Sequence, residues 1–335
     1  MRAVVTRGDG IAALERVERA TPAPGRPEVL VRVRAVSLNY RDLLVVRGEA
    51  QWKPTEPRVP GSDAVGEVVA AGDAVTRARV GDRVLPIFLP GWIDGELTAE
   101  RYGPALGGAA LDGVLAEYLV LDEQAVVRAP DHLSDAEAAT LPVAALTAWH
   151  ALLRIEVREG DSVLIQGTGG VSLAALQIAV AIGARPIVLS GSDEKLRRVR
   201  AMGARETINY RTTPEWDAAV LDLTGGRGVD HVLEVVGGSN LNRSLAAVRV
   251  SGSIAFVGLL AGLGGEVDTY RFVTRNVRLH GIETGSRAML EDVIAFMARH
   301  RLHPVVDRTF GVDEIADALR HLERGDHFGK VVVTP

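Results

Sequence analysis

The sequence contains no cysteine among its 335 residues. Disulfide bonds, catalytic thiols and zinc sites built on thiolate ligands are therefore all excluded. A cysteine-free composition is compatible with a reducing compartment, and we expect a cytoplasmic protein. The absence of cysteine excludes more kinds of reaction and metal site than any single motif does, because it removes nucleophilic and metal-ligating thiols together.

Lysine, excess positive charge and long apolar runs are also scarce. Only three of the 38 basic residues are lysines, and the net charge is −5, so we expect no general affinity for nucleic acid. The longest apolar stretch, residues 167–184, opens with a glycine cluster and carries three polar residues. It predicts a buried helix after a turn, and we expect neither a membrane span nor a signal peptide.

The first 125 residues have the pattern of a β domain. Val29–Val36 alternates apolar with charged residues at a period of two, which is typical of a half-buried strand. Glycine and proline interrupt the rest of this region at short intervals. We predict a compact, partly open β-barrel here, and the total length favours a second domain after it.

From Ser134 onward, strands and helices alternate. Ser134, with Glu137 three residues later, forms a capping box that predicts the start of a helix. Six short apolar strands follow, which predicts an α/β fold with a doubly wound parallel sheet, the Rossmann arrangement, over residues 126–285. We expect residues 286–335 to return to the first domain. The six strands are expected at residues 162–167, 186–191, 206–210, 231–237, 253–259 and 277–284.

A glycine-rich turn lies between the first of these strands and the helix after it. Its residues are Gly167, Thr168, Gly169, Gly170 and Val171. Glycines allow the backbone to approach a pyrophosphate, and the start of the helix offers free N–H groups and a partial positive charge. A serine follows where the third glycine of the usual pattern would stand. The turn predicts a dinucleotide site.

The end of the second strand predicts which dinucleotide binds. A carboxylate there would bind the ribose 2′-hydroxyl of NAD and repel the 2′-phosphate of NADP. The residue is Ser190, and Asp193 nearby is better explained as part of the first turn of the next helix. Lys195 can reach a phosphate, and Tyr210 can add a hydroxyl. We therefore expect NADP, with NAD as the alternative.

These motifs together resemble the medium-chain dehydrogenase/reductase superfamily, in its zinc-independent quinone oxidoreductase-like branch. The resemblance covers essentially the whole chain, and it implies a GroES-like catalytic domain, residues 1–125 completed by 286–335, beside the Rossmann domain. It rests on Pro60–Val68, Val80–Val84, Leu146–Trp149, Gly167–Val171 and Gly329–Val332.

The resemblance also locates the positions at which zinc-dependent members carry metal ligands. Residues 37–42 match the quinone oxidoreductase form, through Asn39 and Asp42. Ser62 stands in place of a histidine and Val143 in place of a third ligand, and neither can hold zinc. We therefore predict no metal site.

Roles for individual residues follow from the resemblance. It implies that Asn39 and Thr147 flank the nicotinamide and its ribose. It implies further contacts from the fifth Rossmann strand and from the C-terminal segment, at Phe256, Val257, Gly258, Gly329 and Lys330. Tyr40 is a candidate proton donor, with packing under the site as the alternative. Phe256 and Val257 fit a sheet core equally well, and Lys330 could be a solvated strand residue.

These expectations combine into a metal-free oxidoreductase that transfers hydride from NADPH to a quinone or an α,β-unsaturated carbonyl. Two alternatives remain open at this point. One is a zinc-free alcohol or aldehyde dehydrogenase that uses NAD or NADP, and the other is an NADPH-binding protein with little turnover. The substrate is expected to be a small molecule, and the resemblance implies a homodimer.

Overall fold

The computed structural model describes residues 1–334 and separates into two compact units. Unit 1 comprises residues 1–146 and 284–335, and unit 2 comprises residues 147–283. The C-terminal segment groups with the first unit, and the first division falls at 146/147, where the sequence expectation is 125/126. The capping-box helix and the turn after it pack with unit 1.

The strands are numbered in chain order. They are β1 (Arg2–Val5), β2 (Glu15–Glu18), β3 (Glu28–Ser37), β4 (Asp63–Ala71), β5 (Arg83–Pro86), β6 (Tyr118–Asp122), β7 (Val126–Arg128), β8 (Ser162–Gln166), β9 (Arg185–Ser190), β10 (Glu206–Asn209), β11 (Val229–Glu234), β12 (Val248–Phe256), β13 (Arg278–Gly281), β14 (Val306–Gly311) and β15 (Lys330–Thr334).

The α-helices are short, and a π-helical turn over Leu141–Ala145 leads into the third of them. Across residues 1–334, no helix has both the length and the apolar character required to cross a bilayer. The helices are α1 (Tyr40–Arg47), α2 (Asp135–Ala138), α3 (Leu146–Arg154), α4 (Gly170–Ile182), α5 (Asp193–Ala201), α6 (Trp216–Leu223), α7 (Asn240–Ala247), α8 (Thr269–Thr274), α9 (Arg287–His300) and α10 (Ile315–Arg324).

Unit 1 is built on one large, mostly antiparallel sheet. Its strand order is β14-β15-β3-β4-β5-β7, with β6 also paired to β3, and β1 and β2 form a separate hairpin. The alternation along β3 is as expected, since Val31 and Val33 are buried while Arg32 and Arg34 are exposed. The long central strand therefore has one face in the core of the β domain.

The core of unit 1 is made mainly of valine and leucine. A cavity of about 240 Å³ that is partly open to solvent lies against apolar side chains from several strands, with charged residues also in its lining. Its apolar lining includes Val4, Val33, Val36, Leu115 and Val333.

Unit 2 is a six-stranded, fully parallel sheet in the order β10-β9-β8-β11-β12-β13. The order reverses between β8 and β11, as in a doubly wound dinucleotide-binding sheet, and the predicted fold class is confirmed. Near-continuous burial of β8, β9 and β11 reflects helices on both faces. The carboxyl ends of β8 and β11 therefore lie side by side at the switch point.

Three elements differ from the sequence expectation. Helix α1 was not predicted, since its eight residues directly follow a strong strand pattern and look like a continuation of it. Helix α8 was also not predicted. Strand β12 begins at Val248, directly after α7 ends at Ala247, and so starts five residues before the strand predicted at 253–259. None of these differences changes the strand order.

Candidate functional site

A buried polar cluster forms in unit 1 around Lys330. The Lys330 ammonium donates to the Leu38 carbonyl at 2.7 Å and to Asn39 Oδ1 at 2.5 Å, and it lies 3.6 Å from Asp63 Oδ2. The Asn39 amide nitrogen donates to the same Asp63 oxygen at 2.9 Å and contacts Ser62 Oγ at 3.4 Å. Both ends of the Asn39 amide are therefore held.

Strand register explains why these distant residues meet. Ser37 at the end of β3 is paired with Asp63 at the start of β4 and with Val332 of β15. The chain that leaves β3 therefore runs between Asp63 and Lys330. Asn39 then caps α1, with its backbone N–H donating to Asp42 Oδ2 at 2.7 Å.

The electrostatics of this cluster are unusual, because two carboxylates and one ammonium are almost fully buried. Asp63 is 0% exposed, Asp42 1% and Lys330 6%. Burial raises the pKa of Asp63 to about 7, against the opposing effect of the Lys330 ammonium. Burial likewise raises the pKa of Asp42 and lowers that of Lys330. The cluster contains one more carboxyl group than cation.

The donor set at this place does not fit a zinc ion. Ser62 is buried, and Val143 packs against the apolar cluster around Trp92. The Lys330 ammonium, already bonded to Asn39, would repel a second cation there. Within the described part of the chain, no group of three or more histidine, cysteine, aspartate or glutamate side chains is arranged to hold a metal.

Packing and backbone geometry account for two of the predicted site residues next to the cluster. Tyr40, the first residue of α1, is half-buried and packs against the apolar core of unit 1. Gly329 has a φ of +96°, and a Cβ there would lie 2.3 Å from the Val305 carbonyl oxygen. A side chain at position 329 would therefore displace the start of β15. The proton-donor role of Tyr40 stays a prediction.

In unit 2, the glycine turn has the expected form. Gly167 has a φ of +76°, and its N–H donates to Leu189 O at 2.8 Å, which ties the turn to β9. Helix α4 begins at Gly170, and Thr168 is buried at the turn. Ser172 Oγ donates to Gln166 O at 2.7 Å, so the serine fastens the helix to β8. The free N–H groups of the first turn of α4 fit a pyrophosphate.

The end of β9 carries no carboxylate, as the sequence indicated. Ser190 is buried, and Asp193 Oδ1 accepts a hydrogen bond from the Asn209 side chain at 2.6 Å. A Cβ on Gly191 would come within 2.8 Å of both the Tyr210 hydroxyl and Arg211 Nε. Both of these polar groups therefore lie over the strand end. Sequence reasoning selected Tyr210 but missed Arg211, although it is the next residue.

Lys195 lies in the first turn of α5, where its N–H donates to Ser192 Oγ at 3.4 Å, so Ser192 is the helix cap. Thr147 is buried in α3. Phe256 ends β12 and packs against the core of unit 2. The N–H groups of Val257 and Gly258 donate to Glu234 O at 2.9 and 3.0 Å. The glycine turn follows β8 and the 256–258 segment lies at the end of β12, and these are the two strands on either side of β11.

Comparisons with protein-family models agree with this architecture. Residues 25–131 match the alcohol dehydrogenase GroES-like domain. Residues 170–299 match the zinc-binding dehydrogenase domain.

Curated relatives match over most of both chains. A zinc-type alcohol dehydrogenase-like protein of Schizosaccharomyces pombe is 40% identical over 97% of this chain and 96% of its own length. Quinone oxidoreductase-like protein 2 of Bos taurus is 30% identical over 95% of this chain and 88% of its own length.

Solved structures cover the whole chain as well. A putative alcohol dehydrogenase from Sinorhizobium meliloti 1021 superposes with a TM-score of 0.92 at 44% identity and is covered to 98%. An NAD-dependent alcohol dehydrogenase gives 0.91 at 36% identity and is covered completely. The crotonyl-CoA carboxylase/reductase AntE in complex with NADP gives 0.89 at 25% identity, with 94% of it covered. The chain therefore belongs to the medium-chain dehydrogenase/reductase superfamily and is an oxidoreductase that uses a nicotinamide cofactor.

Proposed function

We propose that this protein is a metal-free reductase that transfers hydride from NADPH to a quinone or an α,β-unsaturated carbonyl. The observation that carries the proposal is the buried Lys330–Asn39–Asp63 cluster, in which Asn39 contacts Ser62, the residue that stands in place of a zinc-ligating histidine. The Lys330 ammonium stands among the carboxylates and pairs with Asn39 and Asp63, although one oxygen of Asp42 and one of Asp63 accept no hydrogen bond. The charge of this ammonium opposes the binding of a metal ion at the same place.

The acceptor class follows from the chemistry that remains. The bound cofactor supplies hydride, and without a Lewis acid the acceptor must itself be electron-poor. Quinones and conjugated carbonyls meet this condition, whereas oxidation of a simple alcohol requires an alkoxide that zinc usually stabilises. The role of the protein's own residues is to bind and orient the cofactor and the acceptor. Asn39 is suited to this role because its amide is held at both ends.

The strand end at Ser190 supports NADPH over NADH. A neutral serine does not repel a 2′-phosphate, and Arg211, Tyr210 and Lys195 lie on the segments next to it. Arg211 strengthens the case, since a guanidinium is well suited to bind phosphate. Among the similar structures, one is described as NAD-dependent and another as an NADP complex, so the choice rests on these side chains.

We also propose a cytoplasmic homodimer. Strand β13 is an edge of the parallel sheet in unit 2, and it carries the exposed Leu279. The segment before it also exposes Leu263, Tyr270 and Val273, and within the described residues the outer edge of β13 pairs with no strand. A second copy pairing edge to edge would cover both. Leu279→Arg should convert a dimer to monomers in analytical ultracentrifugation, and an unchanged sedimentation coefficient would contradict this interface.

The function is tested with purified protein and three substrate pairs: NADPH with 1,4-benzoquinone, NADPH with an unsaturated ketone, and NADP⁺ with a primary alcohol. We expect turnover with the quinone or the ketone, no loss of activity with 1,10-phenanthroline, and no stoichiometric zinc by elemental analysis. Chelator-sensitive alcohol oxidation would overturn the proposal in favour of an alcohol dehydrogenase. Tight NADPH binding without turnover on any acceptor would overturn it in favour of a binding protein.

A further inference from the structure

A second buried network lies in unit 2, centred on Glu234 at the carboxyl end of β11. Its side chain is 0% exposed and its carboxylate accepts from five donors. Oε1 accepts the backbone N–H groups of Val236 at 2.8 Å and Gly237 at 2.9 Å. Oε2 accepts from Gln166 Nε2 at 2.8 Å, from Asn240 Nδ2 at 2.9 Å and from the Ser244 hydroxyl.

These partners come from different parts of the chain that meet at the switch point of the sheet. Gln166 is the last residue of β8 and directly precedes the glycine turn. It also donates to Ser244 Oγ at 2.8 Å and accepts from Asn240 at 3.1 Å. The base of the glycine turn is therefore bonded to the loop after β11 and to helix α7.

The backbone of Glu234 extends the network to a third loop. Its carbonyl accepts from Val257 and Gly258, the residues that follow β12. The two loops are in close contact, because a Cβ at Gly258 would lie 2.1 Å from the Val235 carbonyl carbon. One residue thus ties together the ends of β8, β11 and β12, where ligands bind in open α/β sheets.

We propose that Glu234 is a positioning residue for the nicotinamide cofactor, fixing the glycine turn relative to the 256–258 segment through Gln166 and its own backbone. The inference rests on nicotinamide binding by unit 2, and it depends neither on NADPH being preferred nor on the acceptor. A carboxylate suits the task because it accepts hydrogen bonds only, and all of the groups around it donate.

The key variant is Glu234→Gln. The amide it introduces brings an NH₂ group against at least one existing donor, so the neighbouring loops must shift. We expect the Kd for NADPH, measured by cofactor fluorescence on folded protein, to rise by about tenfold or more.

The double variant Gln166→Glu with Glu234→Gln exchanges the two groups. The amide oxygen at position 234 can still accept from Val236 and Gly237, while the carboxylate at position 166 accepts from Ser244, Asn240 and the new amide. We expect this exchange to restore the Kd to within about threefold of the original, since every buried donor regains an acceptor.

A matched control lies on the same strand. Asp230, near the amino end of β11, is 4% exposed and accepts from Ser162 and Arg249. Asp230→Asn should lower the unfolding temperature without changing the Kd for NADPH. Asp230 lies at the amino ends of the strands, whereas the glycine turn and the 256–258 segment lie at their carboxyl ends.

Three results would overturn the inference: an unchanged Kd in Glu234→Gln, an equal loss of affinity in Asp230→Asn, or failure of the exchange to restore binding. Should Glu234→Gln not fold, Ser244→Ala removes a single donor and must still weaken NADPH. Wild-type protein that binds only NADH would refute the NADPH proposal but not this one, and the variants would then be measured with NADH.

Discussion

Lys330 and Asn39 lie 291 residues apart in sequence, and the ammonium of the first donates to the amide oxygen of the second at 2.5 Å. The bond is partly buried, and Asp63 accepts from the other end of the same amide. A single lysine near the C-terminal end of the sequence therefore sets the orientation of a side chain from the first helix.

Removal of the buried ammonium should be strongly destabilising. Lys330→Met leaves Asp42 and Asp63 buried without their cation, and we expect a loss of about 3–5 kcal/mol in the free energy of unfolding, measured in urea. Lys53→Met is the matched control, because Lys53 is 57% exposed and lies 3.6 Å from Asp9. A surface pair of this kind contributes about 0–1 kcal/mol. Equal effects of the two substitutions would contradict the assignment.

The contribution of Asp63 to stability should decrease as pH rises from about 4 to about 7. The pKa of Asp63 is raised by burial from 3.8 to about 7, so in this window the folded protein binds a proton that the unfolded chain releases. The raised pKa of Asp42 acts in the same direction. Asp63→Asn should therefore flatten the dependence of unfolding free energy on pH, measured in urea between pH 4 and 8. An unchanged slope would show that Asp63 is ionised throughout.

Cofactor preference should respond to the side chains at the end of β9. Arg211→Ala and Lys195→Ala are each expected to weaken NADPH by about tenfold or more while sparing NADH, because a charged hydrogen bond to the 2′-phosphate is lost. Ser190→Asp should reverse the preference by repelling that phosphate and binding the ribose hydroxyls. Titration of each variant with both cofactors gives the ratio directly. Equal weakening of NADPH and NADH would rule out a role at the 2′-phosphate.

The cavity in unit 1 should accept an added methylene. Val33→Ile places one carbon into the apolar space, and we expect a gain of about 1 kcal/mol in the free energy of unfolding. The control is Val80→Ile, at a position that is 65% exposed and should not respond. Destabilisation by Val33→Ile would mean that the valines around the cavity are too tightly fixed to accommodate the larger side chain.

The sequence predicted the fold well where the signal is local. Six apolar strands separated by helices, and a glycine turn after the first, are read directly from periodicity and composition. Helix α1 could not be predicted from the sequence, because its capping residues, Asn39 and Asp42, closely follow a ten-residue strand. The short apolar run after them fits a strand as well as a helix.

The polar networks were harder to predict from the sequence, because they depend on strand register. Asp63 lies within a motif that was identified, but nothing in its neighbourhood indicates that Lys330 will pair with it. Glu234 fits the end of a buried strand, and its role emerges only when Gln166 and Ser244 are brought beside it. Arg211 could have been found, since the reasoning that selected Tyr210 applies equally to the next residue.

The position of β15 has a consequence for how the protein forms during synthesis. This strand lies between β14 and β3, so the sheet of unit 1 lacks two strands at one edge until residue 334 has been made. Unit 2, contiguous at residues 147–283, can fold while the chain is still growing. Until then the buried aspartates of unit 1 have no lysine to pair with. Residues 1–146, although made first, therefore become native only after unit 2 has been made, and the edge of β3 stays open to aggregation in the meantime.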